Sequence, residues 1–231
     1  MLENNNKAII TKLAGNNIRT NKTQYVILFL TIFLSAFMLF GVFTIGMTYL
    51  DSSRLQNTRL NGAEYDITTM NGFTSEQLNT LRKNKNIQSV GMESYAGFIK
   101  STEFDNTVEI GLLWCDEVFW DNLMSPARTK LDGHYPQNKN ELMVTKDILK
   151  ACGNENLSVG DSLILTYENN TGIYTENFVI SGIWDGFGDT SAGFVSKAFY
   201  DETGYNLKND GILCIKLNRN YVLPTTLQSI E

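Results

Sequence analysis

The sequence predicts an α+β domain of mixed strands and short helices, arranged in two lobes, that follows one N-terminal transmembrane helix. Residues 25–50 form an uncharged, strongly apolar segment. About 180 residues follow, which is enough for a substantial core. There, β-branched, aromatic and alternating segments are interleaved with short helical ones, which is typical of mixed α and β structure. The predicted parts are a cytoplasmic basic amphipathic helix (1–24), the transmembrane helix (25–50) and an extracytoplasmic domain (51–231).

The apolar segment is too long for the core of a cleaved signal peptide, which has about 7–15 residues before a small-residue cleavage site. As a helix, its 26 residues would reach roughly 39 Å, against a hydrocarbon core of about 30 Å. Four basic residues precede it and Asp51 follows it directly. The positive-inside tendency therefore places the N-terminus in the cytoplasm and the residues after about 50 outside. Length and flanks leave open whether the segment is a lone anchor or one span of a bundle.

The residues before the span predict a short basic amphipathic helix. Lys12, Asn16 and Arg19 share one side at helical spacing, and the opposite side carries Ile10, Leu13, Ala14 and Ile18. Such a helix is suited to the inner membrane surface, although the spacing fits ordinary juxtamembrane sequence equally well. Within the span, a second side carries Gly41, Thr44 and Thr48. Small and polar residues on one side favour packing against other helices over lone exposure to lipid.

Beyond the span, the helix is expected to continue outward and to end near Asn61 and Gly62, before a strand at 65–69. Thr74 followed by Gln77 predicts a helix that begins with a capping box. Alternating β-branched and aromatic residues predict strands at 87–99 and 107–114.

The second half, from about Asp116, predicts a strand at 141–145 and a short helix that ends near Gly153. Alternation around Leu163 and Leu165 predicts a hairpin whose turn lies in the NNTG sequence. A strand, a short helix and a last strand at GILCIKL complete the prediction.

Composition excludes several classes of function. Beyond residue 24 the chain carries 15 basic and 24 acidic residues, which argues against nucleic acid as a partner. His134 is the only histidine; a turn position is predicted for it, and two-His metal sites and most Ser-His-Asp schemes are excluded. No GxxxxGK[ST] loop occurs, and the glycine-rich stretch 185–193 predicts a mobile loop. No catalytic residue, cofactor site or metal site is predicted.

Three further groups of residues are assigned structural roles. The apolar surroundings of Cys115 and Cys214 favour buried thiols over a Cys152–Cys214 or Cys115–Cys214 disulfide, which stays an alternative. Solvated helix ends are predicted for two adjacent carboxylate pairs, Asp116/Glu117 and Asp201/Glu202. A core or a hydrophobic contact face is predicted for Trp114, Phe119 and Trp120, which have no basic residue nearby in sequence.

Two parts of the sequence resemble a family of membrane proteins. FtsX-like ABC transporter permeases begin with a basic N-(I/L)-R-x-N-K segment that leads into the first span, and this chain is similar in KLAGNNIRTNKTQYVILFLTIFLSAFMLFGVFTIG. Further along the chain, four pieces in order resemble the extracytoplasmic core domain of the MacB-like group. They are GHYPQNKNELMVTKDIL, LSVGDSLIL, FVISGIW and FVSKAFY. Order and spacing, rather than any single piece, carry the resemblance.

The resemblance implies a permease subunit that hydrolyses nothing itself and needs no cofactor. Its implied partners are a cytoplasmic ABC ATPase subunit, a second permease copy or paralogue, and membrane lipid. Lys12, Asn16 and Arg19 become candidates for the face that contacts the ATPase or lipid. In such permeases the outer domain precedes three later spans, so we expect this chain to be a truncated product, a gene fragment or the first piece of a split permease. We expect the chain to lie in the plasma membrane. The Asn-rich composition leads us to expect a Gram-positive bacterium as its source.

Two other classes of function compete with the permease. One is a single-span anchored binding or sensor module that works without an ATPase. The other is an anchored hydrolase, which is disfavoured because one histidine and no nucleophile–base pair leave little to build a site with.

Overall fold

The computed structural model of the chain describes residues 6–100, 110–187 and 192–218. The chain divides into two compact units, Met1–Arg54 and Leu55–Glu231. The three parts expected from the sequence, with their bounds at 1–24, 25–50 and 51–231, stay a prediction.

The N-terminal unit is helical. It contains helix α1 (Asn6–Thr20) and most of helix α2 (Lys22–Asn61), whose last residues, from Leu55 on, belong to the second unit. Only Asn21 separates them, and its N–H still donates to the Asn17 carbonyl at 3.0 Å. Among the described residues, α2 alone is long and apolar enough to cross a membrane.

The end of α2 follows the expectation from the sequence. Gly62 comes directly after the helix with φ of 73°, a left-handed conformation that glycine adopts without the steric cost of a Cβ.

The second unit contains nine strands within the described ranges. They are β1 (Ile67–Thr69), β2 (Ile87–Ile99), β3 (Ile110–Cys115), β4 (Lys130–Gly133), β5 (Glu141–Thr145), β6 (Ser162–Asn169), β7 (Gly172–Asp185), β8 (Gly193–Val195) and β9 (Gly211–Leu217). They form one sheet in the order β1-β9-β2-β3-β8-β5-β7-β4, and β6 pairs with both β2 and β7. The β3–β8 and β5–β7 pairs are parallel, and the other pairs are antiparallel. The predicted mixed α and β fold is therefore confirmed, and both halves of the domain share this sheet.

Short helices connect the strands. They are α3 (Ser75–Lys83), a π-helix (Val118–Leu123), a 3-10 turn (Ser125–Ala127), α4 (Lys146–Ala151), α5 (Lys197–Tyr200) and α6 (Leu207–Asp210). The predicted capping box of α3 is confirmed, since the Gln77 N–H donates to Thr74 Oγ1 at 3.2 Å and the Thr74 N–H donates to Gln77 Oε1 at 2.8 Å. The side chains of Thr145, Ser196 and Asn206 each accept one hydrogen bond from a backbone N–H in the first turn of α4, α5 and α6. These caps satisfy backbone N–H groups that short helices cannot pair internally.

Three hydrophobic clusters of described residues line the sheet. The first joins α4 and α5 to β5, β6 and β7 around Phe178 and Ile148. The second joins the π-helix to β7 and β8 through Trp120, Trp184 and Phe194. The third places α3 against β2 and β9. Trp114, Phe119 and Trp120 are all buried, so the core alternative of their prediction is confirmed.

The carboxylate prediction was wrong for Asp116. Its carboxylate is partly buried, and Oδ1 accepts hydrogen bonds from the N–H groups of Met92 and Phe119, both at 2.9 Å. It therefore caps the π-helix from inside the fold, because β2 passes directly beside the start of that helix. Asp201 and Glu202 are exposed, as expected, and pair with Lys197 and Lys139.

The thiol prediction is confirmed in its favoured form. Cys115 and Cys214 are buried, and no disulfide joins the three cysteines, all of which are described. His134 is exposed and lies directly after β4, outside any helix or strand. Parts of two other predictions, the strand residues 107–109 and loop residues 188–191, lie outside the described residues.

Candidate functional site

The three basic-face residues predicted from the sequence lie on α1. Lys12, Asn16 and Arg19 are exposed. At about 100° per residue they fall within an arc of roughly 60°. Neither cation forms an ion pair with a described carboxylate. The face is thus available for anionic groups, and its contact with an ATPase or lipid stays a prediction.

The predicted packing face lies on α2. Gly41, Thr44 and Thr48 fall within a similar arc of roughly 60°. The Thr44 hydroxyl donates to the Phe40 carbonyl at 2.8 Å, one turn earlier in its own helix. That hydroxyl already has an acceptor within its own helix. Thr44 would therefore favour packing through its small side chain, which allows close approach of a neighbouring helix, rather than through a hydrogen bond between helices. Packing against another helix stays a prediction.

The C-terminal end of α2 is built into the α/β unit. Thr58 is buried, and the Arg59 guanidinium lies 3.9 Å from the centroid of the Phe187 ring. Phe187 follows β7 at the start of the glycine-rich stretch. Arg59 Nε is buried and has no hydrogen-bond partner among the described residues, so the cation–π contact is its main compensation.

The residues just after α2 continue this attachment. Ala63 is 1% exposed and packs in the cluster that contains Trp120 and Trp184. The Glu64 N–H donates to the Leu123 carbonyl at 2.7 Å, and its carboxylate pairs with Lys216 at 2.6 Å. Residues 58–64 therefore connect the helix to the π-helix and to β9.

A partly buried polar cluster lies next to this attachment. Glu93 on β2 pairs in register with Cys115 on β3, and Cys214 on β9 places Sγ 4.0 Å from Glu93 Oε1. Burial raises the pKa of Glu93 to about 7, and burial together with the Glu93 charge raises the pKa of Cys214 to about 12. Burial is also the main reason why the pKa of Tyr65 is raised.

The acidic groups of this cluster differ in their protonation at neutral pH. Burial keeps the pKa of Cys115 well above its usual range, so both thiols remain protonated at neutral pH and are poor nucleophiles. No group of three metal-ligating side chains occurs in the part of the chain that the structure describes. Glu93 is the group of this cluster whose proton is exchanged near neutral pH.

Tyr135 links the same region to the centre of the sheet. Its hydroxyl accepts from the Cys115 N–H at 3.0 Å and lies 3.2 Å from the carbonyls of both Cys115 and Val195. The Arg128 guanidinium lies 4.1 Å from the centroid of the Trp120 ring, so the fold brings a cation to an aromatic residue that has none nearby in sequence.

Sequence reasoning missed Arg59, Glu93 and Tyr135. Glu93 could have been found, because it is a charged residue in the middle of the predicted strand 87–99. A strand places every second residue on the buried face, so a charge there is a sign of an unusual environment. Arg59 and Tyr135 carry no such signal, because their partners are distant in sequence.

Comparison with known proteins gives similarity in structure only. No protein-family model matches the chain, and a search of curated proteins returns no match. The periplasmic region of MacB from Actinobacillus actinomycetemcomitans is similar with a TM-score of 0.46 and 15% identity, over 71% of this chain and 79% of that one.

Two further solved structures are similar at the same level. A domain of a protein described as a permease, from Porphyromonas gingivalis, has a TM-score of 0.44 and 11% identity, with 72% of each chain covered. The extracellular domain of the noncanonic ABC-type transporter YknZ, from Gram-positive bacteria, has a TM-score of 0.43 and 11% identity, over 69% of this chain and 78% of that one. Similarity at these values does not assign the chain to a family.

Proposed function

We propose that this chain is the N-terminal part of an ABC-transporter permease subunit. In this proposal α2 crosses the cell membrane, α1 lies on the cytoplasmic side, and the α/β unit works outside the cell. A separate cytoplasmic ATPase supplies the energy, and the chain itself carries no catalytic group.

The observation that carries the proposal is the extent of α2. It continues as one helix from Lys22 to Asn61, which is about 60 Å at 1.5 Å per residue and roughly twice the hydrocarbon thickness. The contacts of Thr58, Arg59 and Ala63 anchor its C-terminal end in the α/β fold. A lone anchor needs neither the extra length nor a buried end, whereas a subunit that transmits movement through the membrane needs both.

The sequence adds independent support for the partner. The NIRTNK segment before the span and the ordered pieces from Gly133 to Tyr200 resemble FtsX-like and MacB-like permeases, which work as pairs of permease subunits with cytoplasmic ATPases. Lys12, Asn16 and Arg19 form the exposed face of α1 that we assign to the ATPase or to anionic lipid headgroups.

Orientation is tested first, by labelling with a membrane-impermeant maleimide in intact cells. The variants carry Cys152→Ser and one new cysteine, either Lys150→Cys on α4 or Asn17→Cys on α1, both at exposed positions. We expect Lys150→Cys to be labelled in intact cells and Asn17→Cys only after lysis. Labelling of Asn17→Cys in intact cells would show that the proposed orientation is wrong.

ATPase association is tested by co-expression with an ABC ATPase encoded beside the gene, followed by co-purification in detergent and in nanodiscs. The double charge reversal Lys12→Glu/Arg19→Glu should reduce recovery of the ATPase at least tenfold. A matched reversal in the outer unit, Lys146→Glu/Lys150→Glu, changes two exposed cations on one helix and should have no effect. If the ATPase fails to associate with the unaltered chain in both media, the anchored sensor module becomes the better proposal.

A further inference from the structure

A polar cleft lies on the α/β unit, and none of the residues 58–64 lines it. It is bounded by the β6–β7 hairpin, the turn before β5 and the residues after α5, and it encloses about 130 Å³. That volume accommodates a group of a few heavy atoms. Every residue that lines the cleft belongs to the described part of the chain.

Aromatic rings form the inner wall of the cleft. Tyr167 is 3% exposed, and its ring centroid lies 5.8 Å from that of Tyr174 and 5.3 Å from that of Phe199. Tyr174 remains 39% exposed at the mouth of the cleft. Aromatic faces carry negative electrostatic potential, so a wall of this kind attracts cations.

Two carboxylates, Glu176 and Glu202, stand at the rim. Glu176 forms no ion pair with a described residue. Burial is the main reason why the pKa of Tyr167 is raised, and the charge of Glu176 raises it further. The net charge of the rim, with Lys139 included, is therefore −1 at neutral pH.

The chain's own Lys139 places an ammonium group in this cleft. Its Nζ lies 2.5 Å from Glu202 Oε2. The hydrogen bond to Glu202 and the charges of Glu202 and Glu176 raise the pKa of Lys139, so both carboxylates act on the same ammonium. Lys139 is half-exposed, and exposed ion pairs contribute little to stability, so this ammonium can leave at small cost.

We propose that the cleft is a binding site for a primary ammonium group of an external ligand, with Lys139 as an internal occupant that the ligand replaces or joins. The ammonium would bind between Glu176 and Glu202 over the Tyr174 ring. The ligand class is an alkylamine, as presented by a lysine side chain of a peptide or by a polyamine. Anionic ligands are disfavoured by the rim charge, and purely apolar ones by its polar lining.

The test uses the full chain in nanodiscs, with n-butylammonium as the probe and n-butanol as its neutral counterpart. Binding is followed by ligand-observed saturation-transfer NMR and quantified by titration calorimetry. Lys139→Met removes the competing ammonium and should tighten n-butylammonium binding about tenfold. Glu176→Gln should weaken it by a similar factor, and n-butanol should bind none of the variants.

A matched control is available on the same sheet. Lys100 pairs with Glu168 at 2.7 Å, with exposure close to that of the Lys139 pair, but neither residue lines the cleft. Lys100→Met should leave n-butylammonium binding unchanged. Equal effects of Lys139→Met and Lys100→Met, or equal binding of n-butanol and n-butylammonium, would overturn the proposal.

The source of the amine is distinguished in a second titration. A lysine-containing tripeptide amide is compared with 1,5-diaminopentane on the Lys139→Met chain. Tighter binding of the tripeptide assigns the site to peptides, and tighter binding of the diamine assigns it to polyamines; failure of both to bind overturns the site. No ATPase takes part in these measurements, so their outcome is independent of the proposed transport function.

Discussion

Glu93 makes the stability of the α/β unit depend on pH in a defined direction. Burial raises the pKa of its carboxyl to about 7 from an ordinary value of 4.5. The folded protein therefore keeps a proton that the unfolded chain releases between those two values. The stabilisation is fully present below about pH 4.5 and is lost as the pH rises to about 7. At about 1.4 kcal/mol for each pH unit between the two values, the loss is about 3 kcal/mol.

The perturbation that tests this reasoning is Glu93→Gln, which keeps the shape of the protonated acid and cannot ionise. At pH 4.5 the variant and the parent chain should be equally stable. At pH 8 the variant should be more stable by up to about 3 kcal/mol, which corresponds to a melting temperature higher by roughly 6–12 °C for a unit of this size. Thermal unfolding of the full chain in detergent, followed by circular dichroism between pH 4.5 and 8, measures the difference.

The neighbouring groups do not obscure that difference. Burial holds the pKa values of Tyr65, Cys115 and Cys214 above their usual ranges, so these groups stay protonated throughout. Asp116, whose pKa burial also raises, titrates in both proteins, so its contribution largely cancels. Glu117→Gln, at an exposed position, is the control and should follow the parent curve. If Glu93→Gln also follows the parent curve from pH 4.5 to 8, the folded protein does not hold the Glu93 proton above pH 4.5.

Three other outcomes are expected from local contacts. Thr74→Ala removes the hydroxyl that caps α3 and should lower the free energy of unfolding by about 1 kcal/mol, measured by denaturant titration; an unchanged midpoint would contradict the cap. Asp116→Ala leaves two N–H groups without their acceptor and should cost about 3 kcal/mol, whereas Asp116→Asn keeps one acceptor oxygen and should cost about 1 kcal/mol in the same titration. Maleimide labelling followed by mass spectrometry should modify Cys152 first, because burial protects the other two cysteines; early modification of Cys115 or Cys214 would contradict their burial.

Local patterns explain why most elements could be predicted. The Thr74–Gln77 box, the alternation in β6 and the NNTG turn each act over a few residues, so their physical causes are visible in a short stretch of sequence. The basic face of α1 follows from spacing alone for the same reason. Residue spacing does not identify the molecule that contacts a helix face. The assignment of Lys12, Asn16 and Arg19 to the ATPase or lipid therefore remains a proposal.

Contacts between distant segments explain what could not be predicted. Asp116 was expected to be solvated because adjacent carboxylates usually diverge at a helix end, but the pairing of β2 with β3 brings the Met92 N–H within 2.9 Å of it. The ammonium cleft depends in the same way on Lys139 and Glu202, which meet only because the turn before β5 and the end of α5 converge.

The position of Glu93 illustrates why such contacts matter for function. A largely desolvated carboxylate without a described cationic partner is costly, and a stable core would usually replace it with an apolar residue. Here it lies beside Cys115 and Cys214, which pack in the same cluster as Ala63. The cluster that contains Ala63, two residues after α2, therefore also contains the two cysteines that lie beside Glu93. Movement of Ala63 that admits water would lower the cost of ionising Glu93, because hydration favours the charged form.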